Sequence, residues 1–337
     1  MCIRDSNQAY ANAGSVINFA GDVNNDGFDD IIIGMSQFNG AFADGGRLLV
    51  FYGSVSGLPL TPSWIYDGDQ LTGELGVTVK YAGDINNDGY DDIIAGARQY
   101  DNGSTNEGRA YAFYGSASGL PLTPSWIVES NQTNAYFGQA VSGAGDINND
   151  GYDDVLVGAP FYDKFGLTDN GAVFIYYGSA SGLSIIADDS LYGYYTNDNF
   201  GVRISNGDIN HDLYGDILIS TAKFNAATEG ITYLYIGNTF GLNNYHYWSF
   251  RTTVSTFEYD TGLDGDGDTD GDGFDDILIG EAIAASSAGQ LQLFYGNEIT
   301  PLLIPDFNES MDQTSSNFGF AVSGLSLIHI SEPTRPY

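Results

Sequence analysis

Cysteine, basic side chains and long apolar runs are what this sequence has least of. Cys2 is the only cysteine in 337 residues, so no internal disulfide can staple the fold. Only 10 Lys+Arg stand against 44 Asp+Glu, a formal net charge of −34. Duplex affinity is built from Lys and Arg neutralising phosphates, so this balance argues against a nucleic-acid partner and equally against an anionic membrane surface. No apolar stretch approaches the roughly 20 residues that a membrane-spanning helix needs. With 45 glycines and 9 prolines, long helices are disfavoured. What is present is apolar and aromatic: 42% hydrophobic residues, with 24 Tyr and 20 Phe, enough for a core and too much for a disordered acidic tail.

The two ends stand apart. Met1–Ser6 and Leu325–Tyr337 match nothing else in the chain, and both resemble translated transposase-type sequencing adapter, one from each strand. On that reading 1–6 and 325–337 are artefact and 7–324 is an internal gene fragment. Cys2 and His329 then leave the inventory, and His211 and His246 are the histidines that remain.

Between the ends the chain repeats. GDVNNDGFDDIIIG begins at Gly21, GDINNDGYDDIIAG at Gly83, GDINNDGYDDVLVG at Gly145, GDINHDLYGDILIS at Gly207 and GDTDGDGFDDILIG at Gly267. The first Asp of each falls at 22, 84, 146, 208 and 268, giving intervals of 62, 62, 62 and 60. A second string recurs in step, ending at Leu58, Leu120, Leu183 and, more weakly, Leu242 and Asn297. A period of this length indicates a stacked or radial repeat architecture.

Each unit reads as four short strands bounded by Gly, Asn, Asp and Ser clusters. In the third unit the runs are Gly138–Ala144, Asp154–Gly158, Ala172–Gly178 and a weaker one near Ser184–Ala187. No window holds a helical period over ten residues. Four strands per unit fit a propeller blade, whose radial packing protects sheet edges. The fold expectation is therefore an all-β propeller of four-stranded blades, with repeats starting near 13, 75, 137, 200, 257 and 318, the last a stub.

The acidic loops follow Asp-x-Asn/Asp-x-Asp-Gly-x-x-Asp. Ca²⁺ takes six to eight oxygens, and side chains at positions 1, 3, 5 and 9 can supply them together with the carbonyl of position 7. Gly at position 6 allows a sharp turn at positive φ. The expected ligands are Asp22, Asn24, Asp26, Phe28 carbonyl and Asp30; Asp84, Asn86, Asp88, Tyr90 carbonyl and Asp92; and Asp146, Asn148, Asp150, Tyr152 carbonyl and Asp154. The fifth loop supplies Asp268, Asp270, Asp272, Phe274 carbonyl and Asp276. The fourth keeps Asp208, Asn210, Asp212, Tyr214 carbonyl and Asp216, but Leu213 replaces the glycine. A left-handed Leu costs roughly 1–2 kcal/mol, so this site is expected to be weak unless Gly215 relocates the turn. Asp, Asn and Gly favour plain solvated turns too, but near-perfect matches at one spacing favour the metal. An EF-hand would need a bidentate Glu at position 12, where this chain has Ile33, Ala95, Val157, Ile219 and Ile279. Mg²⁺ is disfavoured because it keeps several waters.

These residues resemble FG-GAP repeats, the units of the integrin α-subunit N-terminal β-propeller and of many bacterial surface proteins. The signature is Phe137-Gly138 followed by Gly158-Ala159-Pro160, softened to Leu75-Gly76 with Gly96-Ala97-Arg98 and to Ala13-Gly14 with Gly34-Met35-Ser36. Phe200-Gly201 keeps the first half, and Phe318–Gly324 opens a sixth unit. The resemblance implies a propeller, usually of seven blades, with calcium loops on one rim and ligand binding on the opposite face. A ring left incomplete exposes strand edges.

Two further features bear on function. Aromatics recur four residues after the second-strand Gly position, at Phe38, Tyr100, Tyr162 and Phe224. They read as inter-blade packing ahead of a ligand-binding ring. The segments after them, Asn39–Gly46, Asp101–Gly108, Asp163–Gly171 and Asn225–Gly230, are better placed for partner contact. Catalytic signals are thin: His211 sits in the degenerate loop, His246 lies among aromatics, and neither has a triad or HExxH setting. Half of the 44 acidic residues fall in the five loops, where calcium accounts for them better than a glycosidase pair does. The reading is a non-enzymatic, calcium-binding adhesion scaffold, extracellular or cell-surface and bacterial-type, with a protein or glycan ligand. The alternative is the propeller region of an extracellular polysaccharide- or phosphoester-acting enzyme.

Overall fold

A computed structural model of the chain describes residues 8, 11–14, 16–223, 230–243, 245–251, 261–281, 289–298, 304–310 and 322–323. Both termini, Phe224 and the 225–229 stretch lie outside the described residues. So do the repeat starts near 257 and 318, and all of Phe318–Gly324 except 322 and 323.

Short β-branched runs broken by Asp/Asn/Gly turns fold into antiparallel meanders, because each turn returns the chain beside the strand it left. The first sheet holds β1 (Val16–Gly21), β2 (Asp30–Met35), β3 (Arg47–Phe51) and β4 (Trp64–Asp67) in that order. The second holds β5 (Leu75–Gly83), β6 (Asp92–Ala97), β7 (Arg109–Phe113) and β8 (Trp126–Glu129). The third holds β9 (Ala140–Gly145), β10 (Asp154–Ala159), β11 (Ala172–Tyr176) and β12 (Asp189–Tyr192). β13 (Arg203–Gly207), β14 (Asp216–Ser220), β15 (Ile231–Tyr235) and β16 (Trp248–Arg251) form the fourth. β17 (Thr261–Asp264), β18 (Ile277–Glu281), β19 (Gln290–Phe294) and β20 (Phe307–Ser310) form the fifth. These are the four-stranded blades of an all-β propeller. No helix among the described residues is long and apolar enough to cross a membrane.

One strand departs from the sequence reading. The fourth strand of the third unit is Asp189–Tyr192 and not the run near Ser184–Ala187. The earlier segment is a connection, because its Ser184 carbonyl is taken by the Trp126 indole N–H at 2.7 Å and Ile185 and Ile186 face solvent.

The chain divides into two compact units, one of residues 1–146 with 150–204 and one of 147–149 with 205–337. In the first, the cores lie between neighbouring sheets. Val23, Ile32, Leu48 and Trp64 pack with Ile93, Tyr111 and Phe113 of the next sheet, and Ile94, Ala112 and Trp126 pack with Val155, Val157 and Tyr176. In the second unit, Leu218, Leu234 and Trp248 pack with Ile277, Ile279 and Phe294. All three tryptophans do the same job. Each opens a fourth strand and meets a third-strand ring of the next sheet edge-on: Trp64 with Phe113 at 5.0 Å, Trp126 with Tyr176 at 4.8 Å and Trp248 with Phe294 at 5.2 Å.

The repeated glycines mark where backbones of successive sheets touch. A Cβ on Gly34 would meet the Gly76 carbonyl at 2.1 Å, on Gly96 that of Gly138 at 1.8 Å, and on Gly158 that of Gly201 at 2.3 Å. The Gly-Ala-Pro end of one unit is thus seated on the Phe-Gly start of the next.

Candidate metal centres

The connection between the first and second strands of each sheet is wound by its own first aspartate. In the first loop Asp22 Oδ1 accepts the Asp26 N–H at 2.9 Å and Oδ2 the Gly27 N–H at 2.7 Å. Asn24 Oδ1 accepts the same Asp26 N–H at 3.0 Å, and Asp26 Oδ1 accepts Phe28 N–H at 3.1 Å. The second loop repeats these bonds with Asp84, Asn86, Asp88 and Tyr90 at 2.7–3.2 Å. In the third, Asp146 holds Asp150 and Gly151 at 3.0 and 2.7 Å, and Asp150 holds Tyr152 at 3.2 Å. Asn148 is at position 3 of that loop.

The fourth loop keeps the pattern although its glycine is gone. Asp208 accepts from Asp212 at 2.9 Å and Leu213 at 3.0 Å, Asn210 from Asp212 at 3.2 Å, and Asp212 from Tyr214 at 3.0 Å. Leu213 adopts φ +70, beside φ +90, +89, +91 and +98 for Gly27, Gly89, Gly151 and Gly273. Gly215 does not relocate the turn, because the Asp208 carboxylate still holds the Leu213 N–H. In the fifth loop Asp268 accepts from Asp272 and Gly273 at 3.1 and 2.9 Å, Asp270 from Asp272 at 3.1 Å, and Asp272 from Phe274 at 3.0 Å. One carboxylate oxygen each from Asp268, Asp270 and Asp276 lie within 4.8 Å of one another.

Position 9 is buried in every loop and opens the second strand in the first four, while Asp276 directly precedes it in the fifth. Asp30 accepts Val23 N–H at 3.1 Å and Gly53 N–H at 2.7 Å; Asp92 accepts Ile85 N–H at 3.0 Å and Gly115 N–H at 2.8 Å. Asp216 takes Ile209 and Gly237, both at 3.0 Å, and Asp276 takes Thr269 at 2.8 Å and Gly296 at 3.0 Å. Asp154 takes Gly178 at 2.8 Å. Burial, reinforced by the neighbouring loop carboxylates and opposed by these N–H donors, pushes Asp30 up to about 6 and both Asp92 and Asp216 up to about 8.

This donor set fits a hard divalent cation. An oxygen that accepts one N–H keeps a second lone pair, and a cation beside the buried carboxylate would restore its ionised form. Positions 1, 3, 5 and 9 with the position-7 carbonyl would hold it. Position 12 lies in the second strand in every unit, which bars an EF-hand arrangement.

Three recurrent features escaped the sequence reading. First, the glycine of the second string (Gly53, Gly115, Gly178, Gly237, Gly296) donates to position 9 of its own loop. Second, Asp91 and Asp153 at position 8 reach the preceding loop, accepting the N–H of Asp22 at 2.6 Å and of Asp84 at 2.8 Å. Gly21 and Gly83 leave room for them, since a Cβ there would sit 2.2 and 2.1 Å from the Asp91 and Asp153 carboxylates. Third, glutamines at 8, 70 and 132 pin the connection between the second and third strands of a sheet, 31 residues on. Gln8 accepts Asn39 N–H at 3.1 Å, Gln70 accepts Asp101 N–H at 2.6 Å, and Gln132 accepts Asp163 N–H at 2.5 Å. The 62-residue spacing of those glutamines was the available signal.

The recurrent aromatics pack. Arg47 lies over Phe38 at 3.8 Å while Nη2 donates to Asp67 at 2.8 Å. Arg109 lies over Tyr100 at 3.4 Å and pairs with Glu129, and Tyr162 meets Phe174 edge-on at 5.3 Å. His246 meets Tyr233 in a tilted contact at 4.8 Å, and its pKa is lowered by burial. His211, though exposed, rests its ring on Phe274 at 5.6 Å.

The FG-GAP repeat family matches residues 81–113 and 137–176. Human (Homo sapiens) integrin alpha-6 is 36% identical over 163 residues, 48% of this chain and 14% of the relative. Mouse (Mus musculus) integrin alpha-8 is 32% identical over 164 residues, 46% of this chain and 15% of the relative. Xenopus laevis integrin alpha-5 is 28% identical over 208 residues, 58% of this chain and 18% of the relative. The chain thus spans less than a fifth of each of these relatives.

Proposed function

This chain carries FG-GAP repeats similar to those of integrin alpha chains, and on that premise we propose that it is a calcium-binding, non-enzymatic adhesion scaffold of a secreted or cell-surface protein. The observation that carries the calcium reading is the fivefold recurrence of one loop, in which a single aspartate winds the turn and a buried aspartate closes it. Four loops have glycine at the turn and bind well; the loop at Asp208–Asp216 has the same donors around a strained Leu213 and binds more weakly. The cation supplies positive charge where buried carboxylates converge, and so stabilises the fold in place of disulfides.

The ligand-facing surface is assigned to the connections between the second and third strands of the first three sheets, 39–46, 101–108 and 163–171. They lie at the sheet ends away from the acidic loops, vary in sequence, and are held by glutamine side chains. A protein or glycan suits such a rigid, polar loop set.

Calorimetry with and without chelator tests the metal. A site filled to a hundredfold excess over its Kd stabilises by about 2.7 kcal/mol, so EDTA should lower Tm by many degrees and Ca²⁺ restore it. An unchanged melt under chelation would overturn the assignment.

A further inference from the structure

The position-8 aspartates have a consequence for how the loops fill. Asp22 N–H donates to Asp91 Oδ2 at 2.6 Å, Asp91 N–H donates back to the Asp22 carbonyl at 3.3 Å, and Asn25 Nδ2 donates to the Gly89 carbonyl at 2.8 Å. The next pair repeats all three bonds: Asp84 to Asp153 at 2.8 Å, Asp153 back to Asp84 at 3.3 Å, and Asn87 to Gly151 at 2.9 Å. Between the fourth and fifth loops Asp208 N–H donates to Asp275 Oδ2 at 2.8 Å and Asp275 N–H returns to Asp208 at 3.2 Å. The His211 ring on Phe274 stands there in place of the asparagine bond.

Each of these aspartates is covalently followed by the buried position-9 carboxylate of its own loop, Asp92, Asp154 or Asp276. Each also grips the position-1 residue of the loop before it. The Tyr81 hydroxyl donates to the other oxygen of Asp91 at 3.2 Å, which fixes how that carboxylate is turned. Two sets of metal donors are therefore joined through one residue.

We propose that the loops bind calcium in coupled pairs, with Asp91, Asp153 and Asp275 as positioning residues that transmit occupancy of one loop to the loop hydrogen-bonded to it. The proposal rests on the calcium reading above. A cation held by Asp84, Asp88 and Asp92 orders the segment that carries Asp91. Asp91 then presents its carboxylate and N–H already placed for Asp22. The first loop loses less conformational freedom on filling, so its affinity rises. By linkage, filling the first loop raises the affinity of the second by the same factor. Repulsion between bound cations opposes this, but at physiological salt it is screened over about 8 Å, whereas the hydrogen-bonded clamp is not. The same clamp assigns the strained fourth loop a support: a filled fifth loop holds Asp208 in place and offsets part of the penalty at Leu213. Among the described residues Asp29, at position 8 of the first loop, makes no bond of this kind and serves as the control.

The test is a Ca²⁺ titration of the full ¹⁵N-labelled chain, reading the position-6 amides of Gly27 and Gly89 separately. Coupling of ordinary strength is about fivefold or more. Asp88→Ala, which removes an exposed donor of the second loop, should raise the midpoint at Gly27 by about that factor. Asp26→Ala should raise the midpoint at Gly89 equally. In an Asp91→Ala background the effect of Asp88→Ala on Gly27 should vanish, and in an Asp29→Ala background it should persist. An unmoved Gly27 midpoint in Asp88→Ala and an unmoved Gly89 midpoint in Asp26→Ala would overturn the coupling while leaving calcium binding intact. Persistence of the shift in the Asp91→Ala background would overturn the role given to Asp91. Absence of any glycine response in the wild-type chain at millimolar Ca²⁺ would overturn the calcium reading itself, and the coupling with it.

Discussion

Leu213 is the residue at which the repeat conflicts with its own geometry. It holds φ +70 with its side chain 71% exposed, so nothing it packs against compensates for the left-handed backbone. Leu213→Gly removes the steric penalty and adds the unfolded-state freedom of glycine. The net expectation is a gain of about 0.5–1 kcal/mol, read by urea unfolding in EDTA, with a tighter fourth site on calcium titration. A second conflict is Glu107. Its side chain is fully buried; Oε1 accepts the Asn102 N–H and Oε2 has no hydrogen-bond partner. Burial pushes its pKa above 4.5. A raised folded value means that its stabilising contribution is complete below pH 4.5 and is lost as pH climbs through the folded value. Glu107→Gln cannot ionise. It should match the wild type in acid and exceed it at neutral pH, a divergence that paired melts across pH would show. The third repeat has already made a related choice, with Asn170 buried and its amide donating to the Gly193 carbonyl at 2.9 Å.

At the scale of the strand and turn, the second string is a joint. In the second sheet Gly115 donates to Asp92, a Cβ on it would come within 2.4 Å of the Asp91 carbonyl and 2.6 Å of the Val23 carbonyl, and the following Ser116 N–H donates to Val23 at 3.1 Å. Tyr52 and Leu120 complete the joint, the hydroxyl accepting the Leu120 N–H at 3.0 Å. Gly115→Ala must displace backbone on both sides, an overpacking cost of about 3 kcal/mol. Melting at saturating calcium should fall well below that of Gly57→Ala in the same string. A Cβ on Gly57 meets nothing within 4 Å, and only its φ of +85 opposes it. The strands themselves were legible, because β-branched runs between Gly/Asp/Asn clusters leave little alternative. The fourth strand of the third unit was misplaced because the tryptophan that opens it in the first, second and fourth units is Asp189 there, and Ile185 and Ile186 supplied a false apolar run.

For the molecule as a whole, a net charge of −34 is a self-repulsion that salt screens and bound cations reduce. Raising NaCl should therefore raise Tm strongly for chelated protein and weakly once Ca²⁺ is bound. Equal salt slopes in scanning calorimetry would separate the charge from the loops.

The sequence alone determined the period, the four-stranded unit and the acidic loop that recurs in each unit, because those depend on local turn chemistry and strand alternation within some sixty residues. Only the tertiary structure decided what the recurrent residues between those strings do. That Asp91 serves Asp22, that Gly96 makes room for Gly138, and that Gln70 holds Asp101 are contacts between residues 69, 42 and 31 apart in the chain. They exist because neighbouring blades bring distant positions of consecutive repeats together, and a side chain that bridges them has no local preference by which to be read.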